Sequence, residues 1–427
     1  MHASKQLWQH RQLLSVLLLF YFAQGLPAGL LAKAIPALAR EAGMALPYIG
    51  LLGLAAIPWA LKFVWAPWVD RLGRGRAGHR KRWIIGCQLG AASVMVAVAM
   101  INPQHLFSSE FLSLIALLAL LNLFCATQDI AADGMAVRLL VPTLRGPGNS
   151  IQVVGYKAGL ILGGGALLIW IGLLGWQLTF LCVALLLVLM LWPVSRFPEP
   201  AAPLADGDLS RPDLRWWWRM LRDFWRRPGM GWWLLILLGY KVGDGFGTRM
   251  LKPMLVDAGW SSAAVGQLDV VTSLAGLAAA MLGGLWLLRL PRLPALIGFG
   301  LLQGLAFLFW AVLARVPVPP DGLLWSAALF EQCADALSTV VLFTLMMDHC
   351  RPGHEGTDYT LQASVQLMAV GLFSLASGFS AAWLGYSGHF LLSAGLCVAV
   401  ILAAPAWWRS RPALTRITPE WMSPHHD

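Results

Sequence analysis

Apolar runs of membrane-spanning length recur from one end of this chain to the other, and they leave little room for any other kind of fold. Each run is close to the ~20 residues that a helix needs to cross a bilayer. Twelve can be drawn, over 12–39, 47–69, 83–101, 111–138, 149–172, 175–195, 230–256, 262–288, 294–315, 322–348, 358–381 and 386–408. The division at Gly172–Trp176 requires a very tight turn. The composition agrees: 58% of the residues are hydrophobic and 12% charged, against about 25% charged in soluble domains. The 22 Trp and 43 Gly suit bilayer interfaces and close helix contacts. The expected fold class is an all-α polytopic membrane protein of twelve transmembrane helices.

Lys5 and Arg11 precede the first run, and Ala37-Leu38-Ala39 resembles a signal-peptide cleavage site. The run is too long for a signal h-region and many spans follow, so it is expected to remain as span 1. Lys and Arg set the orientation. With both termini in the cytoplasm, only Arg40 and Arg315 fall on the opposite side. Lys33, Lys62, Lys157, Lys241, Arg249 and Lys252 fall within spans, and the remaining basic residues are cytoplasmic. The net charge of +10 sits in these short loops and does not indicate nucleic acid. The six cysteines are scattered and form no C-x-x-C, so neither a disulfide framework nor a zinc site is indicated.

Residues 196–229 interrupt the hydropathy with Pro198, Pro200, Pro203 and Asp206-Gly-Asp208. Arg215-Trp-Trp-Trp-Arg219-Met-Leu-Arg222 follows, and it reads as an interfacial helix on the anionic cytoplasmic face. The expected organisation is an N-terminal six-helix half (1–195), this linker (196–229), a C-terminal six-helix half (230–408) and a tail (409–427). Traces of a repeat support it. Pro142-x3-Gly146-x3-Ser150-x-Gln152 matches Pro352-x3-Gly356-x3-Thr360-x-Gln362 at an offset of 210, and Tyr21 and Lys33 match Tyr240 and Lys252 at 219. Two six-span halves repeated in parallel, with a site between them near the midplane, is the major facilitator plan.

Charges inside the spans are the candidate chemistry, because carboxylates at membrane depth are costly and by default mark a pathway or a relay. Asp129 and Asp133, beside Gln128, are spaced i, i+4 on span 4 and share a helical face. They are expected to form a proton relay or a counter-charge; a structural ion pair is the alternative. Lys157 on span 5 is expected as the cationic partner. Lys241 and Asp244, at i, i+3 on span 7, can neutralise each other, and Glu331 and Asp335 are spaced i, i+4 on span 10. Lys33, Arg249 and Lys252 add positive charge to spans 1 and 7, either as substrate contacts or snorkelling to the interface. Asp348, His349, Cys350, His354 and Glu355 match no recognisable metal-ligand spacing, so no metal is expected. His425-His426-Asp427 has no partner motif, and the glycine runs read as packing positions.

Lys62-Phe-Val-Trp-Ala-Pro-Trp-Val-Asp70-Arg71-Leu-Gly73-Arg74-Gly-Arg76 resembles the loop 2–3 signature of the major facilitator superfamily. More specifically, the chain resembles its muropeptide-permease branch. The likeness is carried by this run, by Gln128-Asp129-Ile-x2-Asp133, by Lys157 after Gly155-Tyr156, and by Tyr240-Lys-x-Gly-Asp244-x-Phe246. That branch tends to be longer, with extra C-terminal helices. Lys33, Arg249, Lys252 and the sequence around Asp348–Gln362 look more like a sister group of bacterial siderophore permeases.

The resemblance implies two pseudo-symmetric halves that alternate access around a central cavity, in the bacterial inner membrane, as a monomer. The expected function is proton-coupled import (symport) of a siderophore, an iron chelate; the alternative is a muropeptide permease of cell-wall recycling. Asp129 and Asp133 are the expected coupling pair. Lys33, Gln128, Lys157, Lys241, Asp244, Arg249, Lys252, Glu331 and Asp335 are the expected cavity residues. Asp70, Arg71, Gly73 and Arg74 form the expected gating loop, acting through ion pairs and helix-end dipoles. The expected partners are the small-molecule substrate and the bilayer. No cofactor is implied, no nucleotide motif suggests ATP coupling, no Ser/His/Asp set suggests an enzyme, and the short tails carry no signalling domain.

Overall fold

The computed structural model describes residues 7–8, 10–107, 110–201 and 214–410, and among these there is helix but no strand. Pro203, Asp206–Asp208 and the tail from residue 411, with His425, His426 and Asp427, lie outside the described residues. The N-terminal helices are α1 (Arg11–Glu41), α2 (Tyr48–Val64, continued by Ala66–Arg71), α3 (His79–Met100), α4 (Phe111–Leu139), and α5 and α6, the two limbs of Pro142–Arg196. A basic helix (Leu214–Trp225) follows, with Met220 and Phe224 buried and Arg215, Trp218 and Arg219 exposed. Next come α7 in three pieces (Met230–Gly239, Val242–Thr248, Leu251–Asp257), α8 (Ser262–Trp286), α9 (Arg292–Leu313) and α10 (Asp321–Asp348). The limbs of Glu355–Ile401 are α11 and α12.

The two long merged helices each turn at a glycine that no L-residue could replace cheaply. Gly175 has φ 79° and ψ 171°, and Gly385 has φ 68° and ψ 171°. This region of backbone space is essentially reserved for glycine. The two positions are separated by the same 210 residues as the proline motif. The tight turn expected at Gly172–Trp176 is therefore a one-residue reversal, and it recurs in the second half.

Helix α2 is segmented because its prolines force it to be. Pro58 and Pro67 each open a short α-helical piece, preceded by 3-10 turns at Leu52–Ala56 and Lys62–Val64. Proline lacks the N–H that an α-helical bond needs and crowds the carbonyl four residues back.

Packing divides the chain into two compact units. The first comprises Met1–Arg211, Leu274–Leu290 and Thr339–Leu367. It thus combines α1–α6 with the ends of α8, α10 and α11 that carry the Lys/Arg-rich loops, here called the basic face. Its core is aliphatic and aromatic, drawn mainly from α1, α3, α4 and α6, with Leu52 and Ala55 of α2 and Leu167 of α5. Helices α1 and α5 run in backbone contact. A Cβ on Gly159 would lie 2.9 Å from Gly25 Cα and 3.0 Å from Leu26 N, the close approach that small residues allow. The second unit comprises Pro212–Ser273, Pro291–Ser338 and Met368–Asp427, with a core around Phe307, Trp310 and Phe390.

Large apolar side chains remain outside, including Leu112, Leu173, Phe379 and Trp383, each at least 77% exposed. On a water-soluble monomer so much apolar surface would be a liability. On helices of this length it is the face that lipid covers.

Candidate functional site

In the first unit, α2 is tied to α4 by a ladder of polar contacts. Trp59 Nε1 donates to Asn122 Oδ1 (2.8 Å), Lys62 Nζ pairs with Asp129 Oδ2, and Trp65 Nε1 donates to Thr127 Oγ1 (3.1 Å). The 3-10 turn at Lys62–Val64 presents the lysine to α4, and its ammonium also lies 5.2 Å from the Trp59 ring. Lys62 and Asp129 are both buried. One turn on, Asp133 accepts from Tyr21 Oη of α1 (2.7 Å) and Gln152 Nε2 of α5 (3.4 Å). Asp129 and Asp133 thus do share a face, and residues from α1, α2 and α5 converge on it.

The lysine on Asp129 is Lys62, which the sequence places in a loop signature rather than among the cavity residues. Only its position inside a span singles it out. Lys157 is half-buried on α5. Gln128 points elsewhere: its amide donates to Gln88 Oε1 of α3 (3.0 Å), and Gln88 in turn donates to Leu187 O of α6 (2.7 Å). A one-residue step on a helix rotates a side chain by about 100°, so Gln128 and Asp129 face different neighbours.

The same unit is closed on its basic face by charge. Asp70, at the end of α2, accepts from Arg80 Nη2 (2.8 Å) of α3. It also accepts from Gly356 N (3.2 Å), Thr357 N (2.6 Å) and Thr357 Oγ1 (2.8 Å), in the first turn of α11. The carboxylate therefore satisfies the free N–H groups of a helix N-terminus and meets its positive dipole end. Arg80 Nη2 also donates to Glu355 Oε2 (2.8 Å), and both Arg80 and Asp70 are buried. Burial alone would push the Asp70 carboxyl up; Arg80 and Thr357 outweigh it and hold it below its ordinary value.

Gly134 is needed for this closure, since a Cβ there would stand 2.6 Å from Arg80 Nε and 3.0 Å from the Gly356 backbone. The partner of Asp70 is Arg80 rather than the adjacent Arg71. Gly73 (φ +96°) turns the loop, and Arg74 packs beside Gly353. Arg145–Asp348 (2.8 Å) and Arg351–Asp358 (2.7 Å) add further pairs. Glu199, buried at the end of α6, caps α3 through Arg80 N (3.2 Å) and Lys81 N (2.8 Å). Of the residues weighed as metal ligands, Asp348 and Glu355 are thus engaged with arginines.

The second unit holds its own charge cluster. Helix α7 breaks at Tyr240–Lys241, and Lys241 Nζ reaches Asp335 Oδ1 (2.6 Å), Asp244 Oδ2 (2.9 Å) and Ser338 Oγ (3.0 Å). Glu331, one turn from Asp335, accepts from Thr248 Oγ1 (3.0 Å). Lys241, Asp244, Glu331 and Asp335 are therefore brought together as one site. Arg249 is exposed, and Lys252 forms an exposed pair with Asp269 (2.9 Å), an arrangement worth about 0–1 kcal/mol. Lys33 is exposed on a π-helical turn of α1, its stem passing over Gly164 of α5.

This helix order, with the paired Gly175 and Gly385 turns, is the fold of the major facilitator superfamily. Among solved structures, the fucose:proton symporter of Escherichia coli matches with a TM-score of 0.72 at 14% identity, over 93% of this chain and 98% of that one. A family model described as Acetyl-coenzyme A transporter 1 matches residues 13–172. The anhydromuropeptide permease of E. coli K12 is 28% identical over 393 residues, covering 90% of this chain and 77% of that protein. A putative transporter, AmpG 4, of Rickettsia conorii is 25% identical over 396 residues, covering 90% and 92%.

Proposed function

We propose that the protein is a secondary transporter that imports an anhydromuropeptide across the bacterial inner membrane by alternating access, with both termini cytoplasmic. It is a permease rather than an enzyme. The observation that carries this reading is the pair of buried lysine–carboxylate sites, Lys62–Asp129–Asp133 and Lys241–Asp244–Asp335–Glu331, within helices of membrane-spanning length. Charges there are retained where they serve a pathway. The near full-length similarity to an anhydromuropeptide permease supports the muropeptide class over the siderophore expected from Lys33, Arg249, Lys252 and the 348–362 sequence. Lys252 already has Asp269 as partner, which weakens the case for a cationic substrate-binding face.

Asp70, Arg80, Glu355 and Thr357 act as the cytoplasmic lock: inward opening must separate α11 from α2 and α3, and so must break these bonds. Coupling to the proton gradient runs through the buried carboxylates. The test is uptake of a radiolabelled anhydromuropeptide, and separately of an iron-55 siderophore, into spheroplasts with and without the gene. Gene-dependent, uncoupler-sensitive muropeptide uptake is the expected result. Gene-dependent uptake of the iron chelate alone would restore the siderophore reading.

A further inference from the structure

The two buried sites differ in how their charges are balanced. In the first unit one lysine faces two carboxylates, and Asp133, which the lysine does not pair, has two other donors in Tyr21 and Gln152. In the second unit one lysine faces three carboxylates. The Lys241 ammonium has three protons to donate, and Asp335, Asp244 and Ser338 take them all. Asp335 also accepts from Gln332 Nε2 (3.1 Å). Nothing cationic is left for Glu331, which is 5% exposed, forms no ion pair among the described residues, and accepts one bond, from Thr248. The ionisable groups facing it are Asp244, Asp335 and Lys241, with the Cys397 thiol behind; Arg249, beside Thr248, is exposed.

A buried carboxylate without a cation, next to two others, is the group that a bound proton relieves most. We infer that Glu331 holds the transported proton. The carboxylate takes a proton from hydronium, leaving water and a neutral acid, and returns it to water on the other side of the membrane. Thr248 bonds to Glu331 and is itself exposed, so only its side chain stands between Glu331 and the surface of α7 there. Loss of the proton leaves Glu331 competing with Asp335, one turn away on the same face, for Lys241. That competition links protonation to the contact between α7 and α10.

This inference rests on the permease reading, so its test has one arm that needs no substrate. Wild-type protein in vesicles is treated with dicyclohexylcarbodiimide, which modifies protonated carboxyls in apolar surroundings, over a series of pH values. Mass spectrometry then locates the adduct. The adduct is expected on Glu331 and increases as pH falls; modification of Asp129, Asp133, Asp244 or Asp335 with Glu331 untouched overturns the inference, as does no adduct at all. In the second arm, Glu331→Gln is assayed for anhydromuropeptide uptake in proteoliposomes under an imposed pH gradient. Uptake that no longer responds to the gradient supports the assignment, and a wild-type response overturns it. Wild-type protein that is labelled on Glu331 but takes up no muropeptide refutes the substrate and leaves the proton site standing.

Discussion

Asp70→Asn tests the basic-face lock with the smallest change of shape. The carboxylate accepts four bonds, one from Arg80 and three from the start of α11. Asparagine keeps one acceptor oxygen but loses the charge, and its amide group turns a donor toward a donor. Breaking a buried pair from one side costs about 3–5 kcal/mol. Arg80 keeps Glu355 at 2.8 Å, so its charge is not left unpaired and the cost falls below that range, to about 2–3 kcal/mol. That shifts the equilibrium toward separation of α11 from α2 and α3 by about 30- to 150-fold.

Cys350 is a native reporter. It lies just before α11, its thiol donating to Met346 O (3.2 Å) and accepting from Gln362 Nε2 (3.7 Å). Burial pushes that thiol up, so it reacts slowly while the lock is closed. Maleimide labelling of Cys350, located by mass spectrometry, is expected to accelerate by about 30-fold or more in Asp70→Asn. Arg76→Gln, at an exposed position in the same loop, serves as the control and should label as wild type. A change in Asp70→Asn of less than about threefold, under 1 kcal/mol, would mean that Asp70 contributes little to closure, and the reasoning fails.

Other consequences can be measured on the purified protein. Asp70 is held below its ordinary value, so its contribution is fully present above that ordinary value and is lost only as pH falls through the lowered one. Cys350 labelling should therefore be flat, after correction for thiolate fraction, over about pH 5 to 8; a rise toward pH 5 would contradict this. Lys62→Met alone should lower thermal stability by about 3–5 kcal/mol, and adding Asp129→Leu should recover most of it; a double variant no better than the single one refutes the pairing. Lys241→Met strands Asp244 and Asp335 and should abolish folded protein on size exclusion, with Asp335→Asn in the same chain restoring part of it. No rescue would mean that Lys241 matters for something other than its charge. Gly159→Ala pushes a methyl into the α1 backbone and should cost about 1–3 kcal/mol. Gly165→Ala, with open space around its Cβ position, should be neutral or better, and equal melting of the two would refute the close-packed seam.

The helix inventory was legible because hydropathy and turn chemistry are local. The apolar runs predict the spans, and Gly172–Trp176 predicts a turn that the structure puts at Gly175. Partners were less legible, because periodicity shows which residues share a face and not what that face meets. Asp129 and Asp133 could be grouped from their spacing, but that Lys62 reaches Asp129 depends on a 3-10 turn imposed by the prolines of α2. Gln128 sits beside Asp129 in sequence and belongs to the α3–α4 contact. Arg71 is adjacent to Asp70, whereas Arg80 crosses a loop to pair with it, over a surface that only Gly134 leaves open. Tyr21 was visible only as a repeat match, and its hydroxyl bond to Asp133 had no sequence signal.

The repeat itself shows where backbone and chemistry part. Its 210-residue offset maps Gly175 onto Gly385, which turn alike. It also maps Asp129 and Asp133 onto Thr339 and Phe343, which carry no charge. The acids of α10 instead stand at 331 and 335, eight residues earlier than that mapping, about 12 Å along the helix axis at 1.5 Å per residue. The tyrosines follow the same rule: Tyr21 binds a carboxylate, while its repeat partner Tyr240 donates to the Leu296 carbonyl (2.8 Å). A turn of this kind is fixed by the backbone, so both halves keep it. A buried charge is tolerated only where it serves a purpose, and two sites at different depths along their own helices suit two purposes. One, with its carboxylates paired or capped, suits a contact that holds its charge; the other, with Glu331 left to a single hydroxyl donor, suits a site that fills and empties with a proton.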